Sequence, residues 1–149
     1  MEPQKFELKT QLLSEGRSNE ELPGTDRTRL SLKFLVEGGE VMLHSHTYED
    51  QTYLVLDGEA TFYNEGDEAT VVSRGEGMIM PAGTLYRFHQ SGEGPAVVLR
   101  VGGTTADSWD HYLQGDGSSL VVNYGSITGV PAEGSFWTLN GVVEGQRVS

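Results

Sequence analysis

Residues 38–58 read GGEVMLHSHTYEDQTYLVLDG, and this segment decides the fold. Two short strands are predicted in it, Val41–His46 and Thr52–Leu56, because both are rich in apolar, β-branched and aromatic residues and are bounded by turn formers. Asp57-Gly58 closes the second strand and is typical of a tight hairpin turn. The segment therefore predicts β-structure with short turns.

The same pattern continues on both sides of this segment. Thr28–Val36 reads TRLSLKFLV, and a period of two places three apolar side chains on one face and Ser31 and Lys33 on the other. Strands this close together, separated by glycine and proline turns, predict an all-β fold: an antiparallel sandwich or barrel with its core over about residues 28–101. The further strands that we predict lie at residues 60–63, 69–73, 77–80, 85–89 and 96–101.

The two ends of the chain carry weaker signals. Residues 1–27 are polar and predict an edge segment or a short amphipathic helix. Asp107 predicts the cap of one helical turn that contains Tyr112 and Leu113. Residues 119–139 predict one or two further strands.

Length and composition exclude several classes of protein. The 149 residues suit one domain over residues 1–149, with residues 102–149 as an extension packed on the barrel or exchanged with a partner. Cysteine is absent, which excludes disulfides and thiolate chemistry. The net charge of −12 repels phosphate backbones, so no nucleic-acid partner is expected. No apolar span or leader is visible, so we expect no membrane partner and a cytoplasmic location.

The chemistry of the chain is concentrated at His44 and His46. They are one residue apart on a strand, so both imidazoles lie on one face and can converge on one ion. Gln51 offers an amide oxygen at the start of the next strand, and Tyr53 follows on the same side. An HxH pair alone is more typical of polar residues on a half-exposed strand, so the residues around it decide its meaning.

Those surrounding residues resemble the motifs of the cupin superfamily. The first cupin motif contains a glycine, the HxH pair, a glutamate and a second glycine. This chain has Gly38, His44, His46 and Gly58 at four of these positions, with Gln51 where the glutamate is expected.

The second cupin motif contains a glycine, a PxG turn, a histidine and an asparagine. Gly75, Pro81 and Gly83 match its first half, while Tyr86 stands at the histidine position and Gln90 at the asparagine position. The resemblance is specific for a fold and leaves the activity open, because one fold hosts many functions.

The resemblance spans about residues 30–101 and implies a jelly-roll-like double-stranded β-helix. It implies a metal site made of His44, His46, Gln51 and Tyr86, in place of three histidines and a glutamate. Imidazole ligands suit Fe, Mn, Ni, Zn or Cu, so the divalent ion is not identified. A site with so little negative charge favours an anionic, oxygen-bearing substrate.

Two functional hypotheses follow. The first is a metal-dependent enzyme acting on a small organic anion by dioxygenase-like or Lewis-acid lyase, isomerase or cyclase chemistry, with Tyr53 or Tyr86 as acid and base. The second is a metal-free cupin, either a small-molecule binding module or an epimerase or isomerase that uses histidine and tyrosine directly. In both, the residues predicted to line the substrate pocket beside the histidine pair are Met42, Val55 and Phe88.

Several nearby residues are alternative candidates for the site. His89 is three positions from Tyr86, so strand alternation predicts that it points to the opposite face. Glu49 and Asp50 are alternative carboxylate ligands in place of Gln51 if the loop between the strands shifts the ligand position. His111 reaches the site only if the C-terminal segment folds back.

The isolated cations and the tryptophans have ordinary structural explanations. Lys33, Arg87 and Arg100 are predicted mainly as surface partners of the many carboxylates, with attraction of an anionic substrate as the alternative. Trp109 and Trp137 are predicted to pack over the barrel ends. Open sheet edges predict a homodimer.

Overall fold

The computed structural model describes residues 2–104, 112–114, 119–120 and 129–145. Within these residues all regular structure is β-strand. The strands are β1 (Lys9–Glu15), β2 (Arg17–Leu22), β3 (Thr28–Leu35), β4 (Val41–His46), β5 (Asp50–Asp57), β6 (Glu59–Asn64), β7 (Ala69–Ser73), β8 (Gly77–Met80), β9 (Tyr86–Gln90), β10 (Ala96–Gly103), β11 (Tyr112–Gln114), β12 (Ser119–Leu120), β13 (Val130–Thr138) and β14 (Gly141–Glu144).

The strands form two large antiparallel sheets and one small one. The first large sheet has the order β2-β3-β10-β5-β8, and the second has the order β12-β11-β4-β9-β6-β7. Their inner faces share one apolar cluster, to which Val55 and Val98 belong from the first sheet and Phe62 and Phe88 from the second. The predicted all-β antiparallel architecture is confirmed.

The small sheet, of order β1-β13-β14, covers the outer face of the first large sheet. Leu13 of β1 and Trp137 of β13 pack there against Leu32, Phe34 and Val97 in a second apolar cluster. Burying side chains of this size stabilises the fold by about 1.5–3 kcal/mol each. Trp137 therefore packs against a sheet, as part of a hydrophobic layer, and not over a barrel end.

This outer layer decides which face of β3 looks inward. The apolar face of β3 is covered by the small sheet, so the opposite face, with Ser31, Lys33 and Leu35, lies on the inner side. Ser31 is fully buried there, opposite Arg100 on β10. Polar side chains thus enter the space between the large sheets.

The terminal segments differ from their predictions. Residues 1–27 contain two strands, β1 and β2, which pair with β13 and β3. Tyr112 and Leu113 lie in β11, paired with β4, so the predicted helical turn is wrong at these two residues. Pairing across the sheet overrides the local helical signal. Asp107 and Trp109 lie outside the described residues. The strands predicted in residues 119–139 are β12 and β13.

The Asp57-Gly58 pair also differs from its prediction. β5 pairs with β8 and β10, whereas β6 pairs with β7 and β9, so the pair turns the chain from one sheet into the other and is not a hairpin. Gly58 has a φ of 72°, and a Cβ there would collide with the carbonyl oxygen of Pro95, so only glycine fits. Positive φ also occurs at the other glycines of the two motifs, Gly38, Gly75 and Gly83.

Candidate functional site

The site is built from alternate residues of four neighbouring strands. On β5, Gln51 and Tyr53 face inward, and each is 1% exposed. On β10, Arg100 lies directly opposite Tyr53 and is 2% exposed. Because a strand turns every second residue to the same face, these side chains share the barrel interior.

The second sheet contributes the histidines and a second tyrosine. His44 of β4 pairs with Tyr86 of β9, and their ring centroids are 4.3 Å apart. The ring of His46 is 5.1 Å from that of His44 and lies edge-on to it. All three side chains are buried. The structure therefore brings together three of the residues that the sequence proposed for the site.

The two phenols of the site contact each other directly. The hydroxyl groups of Tyr53 and Tyr86 form a buried hydrogen bond that joins the two large sheets. Their rings meet edge to face, with centroids 5.7 Å apart. Because the Tyr86 ring also lies against His44, the three groups form one contiguous polar cluster.

The histidines are held in their neutral forms. Burial is the largest cause that lowers the pKa of His44 to about 4, and nearby cations including Lys33 and Arg100 lower it further. Burial is the largest cause that lowers the pKa of His46 to about 3, and the next is repulsion from His44 when that ring is also protonated. The Nδ1 of His44 donates to the carbonyl oxygen of Met42 at 2.7 Å, since a carbonyl can only accept. The Nε2 of neutral His44 then carries the lone pair.

Arg100 organises the polar groups of the first sheet. Its Nε donates to Ser31 Oγ at 3.0 Å, and its Nη1 donates to Gln51 Oε1 at 3.2 Å. The same Nη1 lies 3.9 Å from Glu49 Oε1. The prediction that places Arg100 mainly at the surface is therefore wrong, because the covered outer face of the sheet directs this residue inward.

Glu49 is a site residue that the sequence offered only as an alternative. It is fully buried just before β5, two residues from Gln51 and on the same side. Its carboxylate occupies the space beside Gly102, where a Cβ would collide with Glu49 Oε1. The only sequence signal for Glu49 as a site residue was its position two residues before Gln51. The glycine on a distant strand that makes room for the carboxylate could not be anticipated.

The amide orientation of Gln51 is decided by Arg100. A guanidinium has only donors, so the Gln51 oxygen must face it and the amide nitrogen must face away. That nitrogen, Nε2, is buried and has no hydrogen-bond partner among the residues that the structure describes. Gln51 thus offers an N–H group to the interior. A substrate oxygen can accept a hydrogen bond from this group, whereas a metal ion cannot be coordinated by it.

These contacts test the predicted metal site. The neutral imidazoles of His44 and His46 suit a divalent ion. The oxygen of Gln51 is engaged by Arg100, and the hydroxyl of Tyr86 is shared with Tyr53. In the part of the chain that the structure describes, no group of three or more His, Cys, Asp or Glu is placed to hold an ion. The four predicted ligands do not form a complete divalent-metal site in this arrangement.

The pocket-lining residues divide into two groups. Val55 and Phe88 are each 1% exposed and belong to the inner apolar cluster. Met42 is 70% exposed, so the prediction that it lines the pocket is wrong. The register of β4 against β9 shifts between Val41 and His44, and this bulge turns Met42 outward.

The remaining candidates lie outside the cluster. His89 is on the opposite face of β9, as predicted, where its Nε2 accepts from the Tyr63 hydroxyl at 3.0 Å and its Nδ1 donates to Gln90 O at 2.6 Å. Asp50 is exposed and accepts a hydrogen bond from the backbone of Ala82. His111 lies outside the described residues.

A cavity of about 230 Å³ adjoins the cluster at Tyr86. Its apolar wall includes Phe62, Met78 and Met80, and its polar residues include Tyr63, Asn64, Glu68 and Thr84. A mostly apolar hollow with a few polar groups is typical of sites for small organic molecules, and this one suits a ligand smaller than a drug.

Comparison with known proteins agrees with this architecture. Residues 32–102 match the family model described as "Cupin domain". No curated protein matches the chain. Within the described residues no helix has the length and apolarity to cross a membrane.

Solved structures resemble the chain in fold. A protein with a double-stranded β-helix domain from Klebsiella pneumoniae is 19% identical with a TM-score of 0.59, over 64% of this chain and 78% of that one. An RmlC-like cupin protein from Desulfovibrio desulfuricans is 21% identical with a TM-score of 0.53, over 59% and 82%. TT1209 from Thermus thermophilus is 24% identical with a TM-score of 0.55, over 60% and 84%.

Proposed function

Since residues 32–102 match the cupin domain model and the chain has the fold of cupin proteins, we propose that its barrel interior binds a small, oxygen-bearing organic anion and transfers a proton to or from it. One observation carries this proposal. The buried hydroxyl pair of Tyr53 and Tyr86 lies against the neutral imidazole of His44. Isomerase, epimerase or lyase chemistry fits such a pairing of acid and base.

The proposed roles follow from the protonation states. His44 carries its proton on Nδ1, so Nε2 is the atom that accepts a proton from the substrate. Its pKa of about 4 keeps this atom unprotonated at neutral pH. One of the Tyr53 and Tyr86 hydroxyl groups donates to the other, so the accepting phenol still carries a proton that it can donate to a substrate.

The anionic character of the substrate is inferred from the first sheet. Among the described residues Gln51 Nε2 is a buried donor with no hydrogen-bond partner, and the guanidinium of Arg100, whose charge Glu49 partly offsets, contacts the oxygen of the same amide. Buried donors beside a positive charge stabilise an oxygen that carries or develops negative charge. The cavity beside Tyr86 limits the organic part to a small group.

The metal-dependent hypothesis stays a prediction. His44 and His46 are the residues that would hold an ion, and a divalent ion would supply Lewis-acid stabilisation of a substrate oxygen. Gln51 would first have to release Arg100 and turn its oxygen inward. Our proposal therefore assigns proton transfer to the side chains themselves. A homodimer and a cytoplasmic location also stay predictions.

Exchange of carbon-bound hydrogen tests the proposal. Chelator-treated protein is incubated in D₂O with pyruvate and with 2-oxobutyrate, and loss of the proton signal next to the carbonyl is followed by NMR. We expect exchange above the buffer rate, and a loss of about 10²–10⁴-fold in Tyr86→Phe. Tyr48→Phe is the matched control, because the Tyr48 side chain is exposed and lies outside the lining of the cavity beside Tyr86.

Two outcomes would contradict the proposal. Exchange at the buffer rate for both substrates would show that the protein does not transfer protons to or from small oxo carboxylates. Exchange that disappears with chelator and returns with Fe, Mn, Ni, Zn or Cu would favour the metal-dependent hypothesis.

A further inference from the structure

Arg100 contacts the two oxygen donors that the sequence offered to a metal ion from the first large sheet. Its Nη1 donates to Gln51 Oε1 at 3.2 Å and lies 3.9 Å from Glu49 Oε1. Its Nε donates to Ser31 Oγ at 3.0 Å, which holds the guanidinium group at a second point. The residue is 2% exposed, so these contacts are made away from bulk water. One buried cation therefore engages both oxygen donors.

The contact with Arg100 decides which atom of Gln51 is left for a ligand. An arginine stays charged at every physiological pH and has only N–H donors, so the amide oxygen faces the guanidinium. The amide nitrogen is buried and has no hydrogen-bond partner among the described residues. An amide N–H group donates to an anion and cannot coordinate a cation. The contact thus converts Gln51 from a potential metal ligand into a donor for anions.

The carboxylate of Glu49 is also held by the first sheet. It is fully buried, and it occupies the space that Gly102 leaves by having no side chain. Within the ranges that the structure describes, no three His, Asp or Glu side chains are grouped so that they could hold an ion. Glu49 therefore balances the charge of Arg100 and does not join the histidine pair as a third ligand.

The positive charge of Arg100 also acts on the histidine pair across the interior. It is among the causes that lower the pKa values of His44 and His46, in both cases after burial. A bound divalent ion would meet the same repulsion with twice the charge. The guanidinium therefore disfavours a cation at these rings and favours an anion.

Two further cations act on the same place. Lys33 on the inward side of β3 and Arg17 on β2 also lower the pKa of His44, after burial. In the described part of the chain, no hydrogen bond or ion pair joins the Lys33 side chain to either oxygen donor. Glu21, which the register also places on this face, is exposed. Arg100 thus differs from Lys33 by its contacts, so the effect of contact and the effect of charge can be tested separately.

We propose that Arg100 determines the ligand specificity of the barrel interior. Its contacts with Gln51 and Glu49 exclude divalent cations from the histidine pair and leave the site to anionic ligands. The glutamine at the position of the cupin glutamate is not the deciding change, because it still carries an oxygen donor, which the guanidinium occupies. Arg100 has this role whether or not the tyrosine pair transfers protons.

Zinc binding tests this role of Arg100. The full-length protein is stripped with chelator, and its affinity for Zn²⁺ is measured at neutral pH by competition with a colorimetric chelator. The same titration of His44→Gln shows how much zinc binds elsewhere on this acidic chain. We expect equal affinities for these two proteins, whereas Arg100→Met should bind Zn²⁺ at least about tenfold more tightly. Adding His44→Gln to Arg100→Met should abolish the gain.

Two control variants separate contact from charge and from ligand type. Lys33→Met removes a positive group from the same face and leaves Gln51 and Glu49 in contact with Arg100, so the zinc affinity should not change. Gln51→Glu supplies the carboxylate of the cupin motif but keeps the guanidinium, with which that carboxylate would pair. This variant should therefore show no gain that depends on His44.

Three results would overturn the proposal. A gain in Lys33→Met equal to that in Arg100→Met would assign the exclusion to the general positive field. A gain in Gln51→Glu would assign it to the missing carboxylate. Zinc binding by the unmutated protein that depends on His44 and is as tight as that of Arg100→Met would show that divalent cations are not excluded.

A second variant keeps the test decisive if Arg100→Met does not fold. Arg100→Met/Glu49→Gln loses the buried carboxylate together with its cation and still releases the oxygen of Gln51. A gain in zinc affinity that depends on His44 is expected here too, and its absence would contradict the proposal. Hydrogen exchange by chelator-treated protein is a separate measurement, so its failure would leave the role of Arg100 in place, and failure of the zinc contrast would leave proton transfer in place.

Discussion

Two histidine–tyrosine contacts on opposite faces of β9 allow an internal comparison. Inside the barrel, His44 lies against Tyr86, and both are buried. On the outer face, His89 stacks on Tyr63 at a centroid distance of 5.5 Å and accepts its hydroxyl proton. The residue types are the same, so the difference lies in the surroundings.

The surroundings decide what each histidine can do. Both ring nitrogens of His89 are engaged, one by Tyr63 and one by the backbone of Gln90, so no lone pair is left for a ligand. In His44, Nδ1 donates to the Met42 carbonyl, and burial lowers the pKa of the ring to about 4. Burial and hydrogen bonding separate a candidate base from a structural histidine.

The largest expected effect comes from removing the buried cation Arg100, compared with removing the exposed cation Arg87. In Arg100→Met the buried carboxylate of Glu49 loses its guanidinium, which we expect to cost about 3–5 kcal/mol of unfolding free energy in urea. Arg87→Met is the matched control, because Arg87 pairs with exposed Asp67 and should cost about 1 kcal/mol or less.

A second variant identifies the cause of that loss. Adding Glu49→Gln to Arg100→Met removes the buried negative charge and should restore part of the lost stability. Equal losses for Arg100→Met and Arg87→Met would show that the interior is hydrated and that the comparison between the faces does not hold.

The next largest effect is the pH dependence of stability that the buried histidines cause. In the unfolded chain His44 titrates near pH 6.5, whereas in the folded protein its pKa is about 4. Between these values the unfolded state binds a proton that the folded state does not, so stability falls as the pH is lowered. The difference amounts to about 3 kcal/mol for His44 in chelator-treated protein.

Urea unfolding at a series of pH values measures this slope. His44→Gln should reduce the slope between pH 6.5 and 4, and the double variant His44→Gln/His46→Gln should reduce it further, because both pKa values are lowered in the folded protein. A slope that is unchanged in the double variant would assign the acid sensitivity to other groups.

The smallest of the three effects concerns the space beside Glu49. In Gly102→Ala the new Cβ displaces the Glu49 carboxylate, so we expect a loss of about 1–3 kcal/mol in unfolding free energy. Gly103→Ala is the matched control, since no heavy atom lies within 4 Å of the Cβ built there. Similar stabilities for the two variants would show that Glu49 can leave its position without cost.

Local sequence determined the strands and the turns of this protein. A period of two in Thr28–Val36 predicts a strand that the structure contains as Thr28–Leu35, and glycines such as Gly38 mark places where the chain turns. Such features depend on a few adjacent residues, since side-chain alternation and the absence of a Cβ act within one strand or one turn. For the same reason His89 could be assigned to the outer face.

The candidate site was predictable only where it depends on one strand. His44 and His46 share a face because they are two residues apart, and Gln51 and Tyr53 do for the same reason. Met42 was misassigned because a bulge depends on the register between β4 and β9, which a single strand does not contain.

The tertiary structure decided the electrostatics of the interior. Arg100 and Lys33 face inward because a terminal sheet, distant in sequence, covers the other side of β3 and β10. Glu49 is buried because Gly102, more than fifty residues away, leaves room for its carboxylate. Charge, hydration and pKa depend on which groups are neighbours in space, and the order of residues along one chain does not specify that.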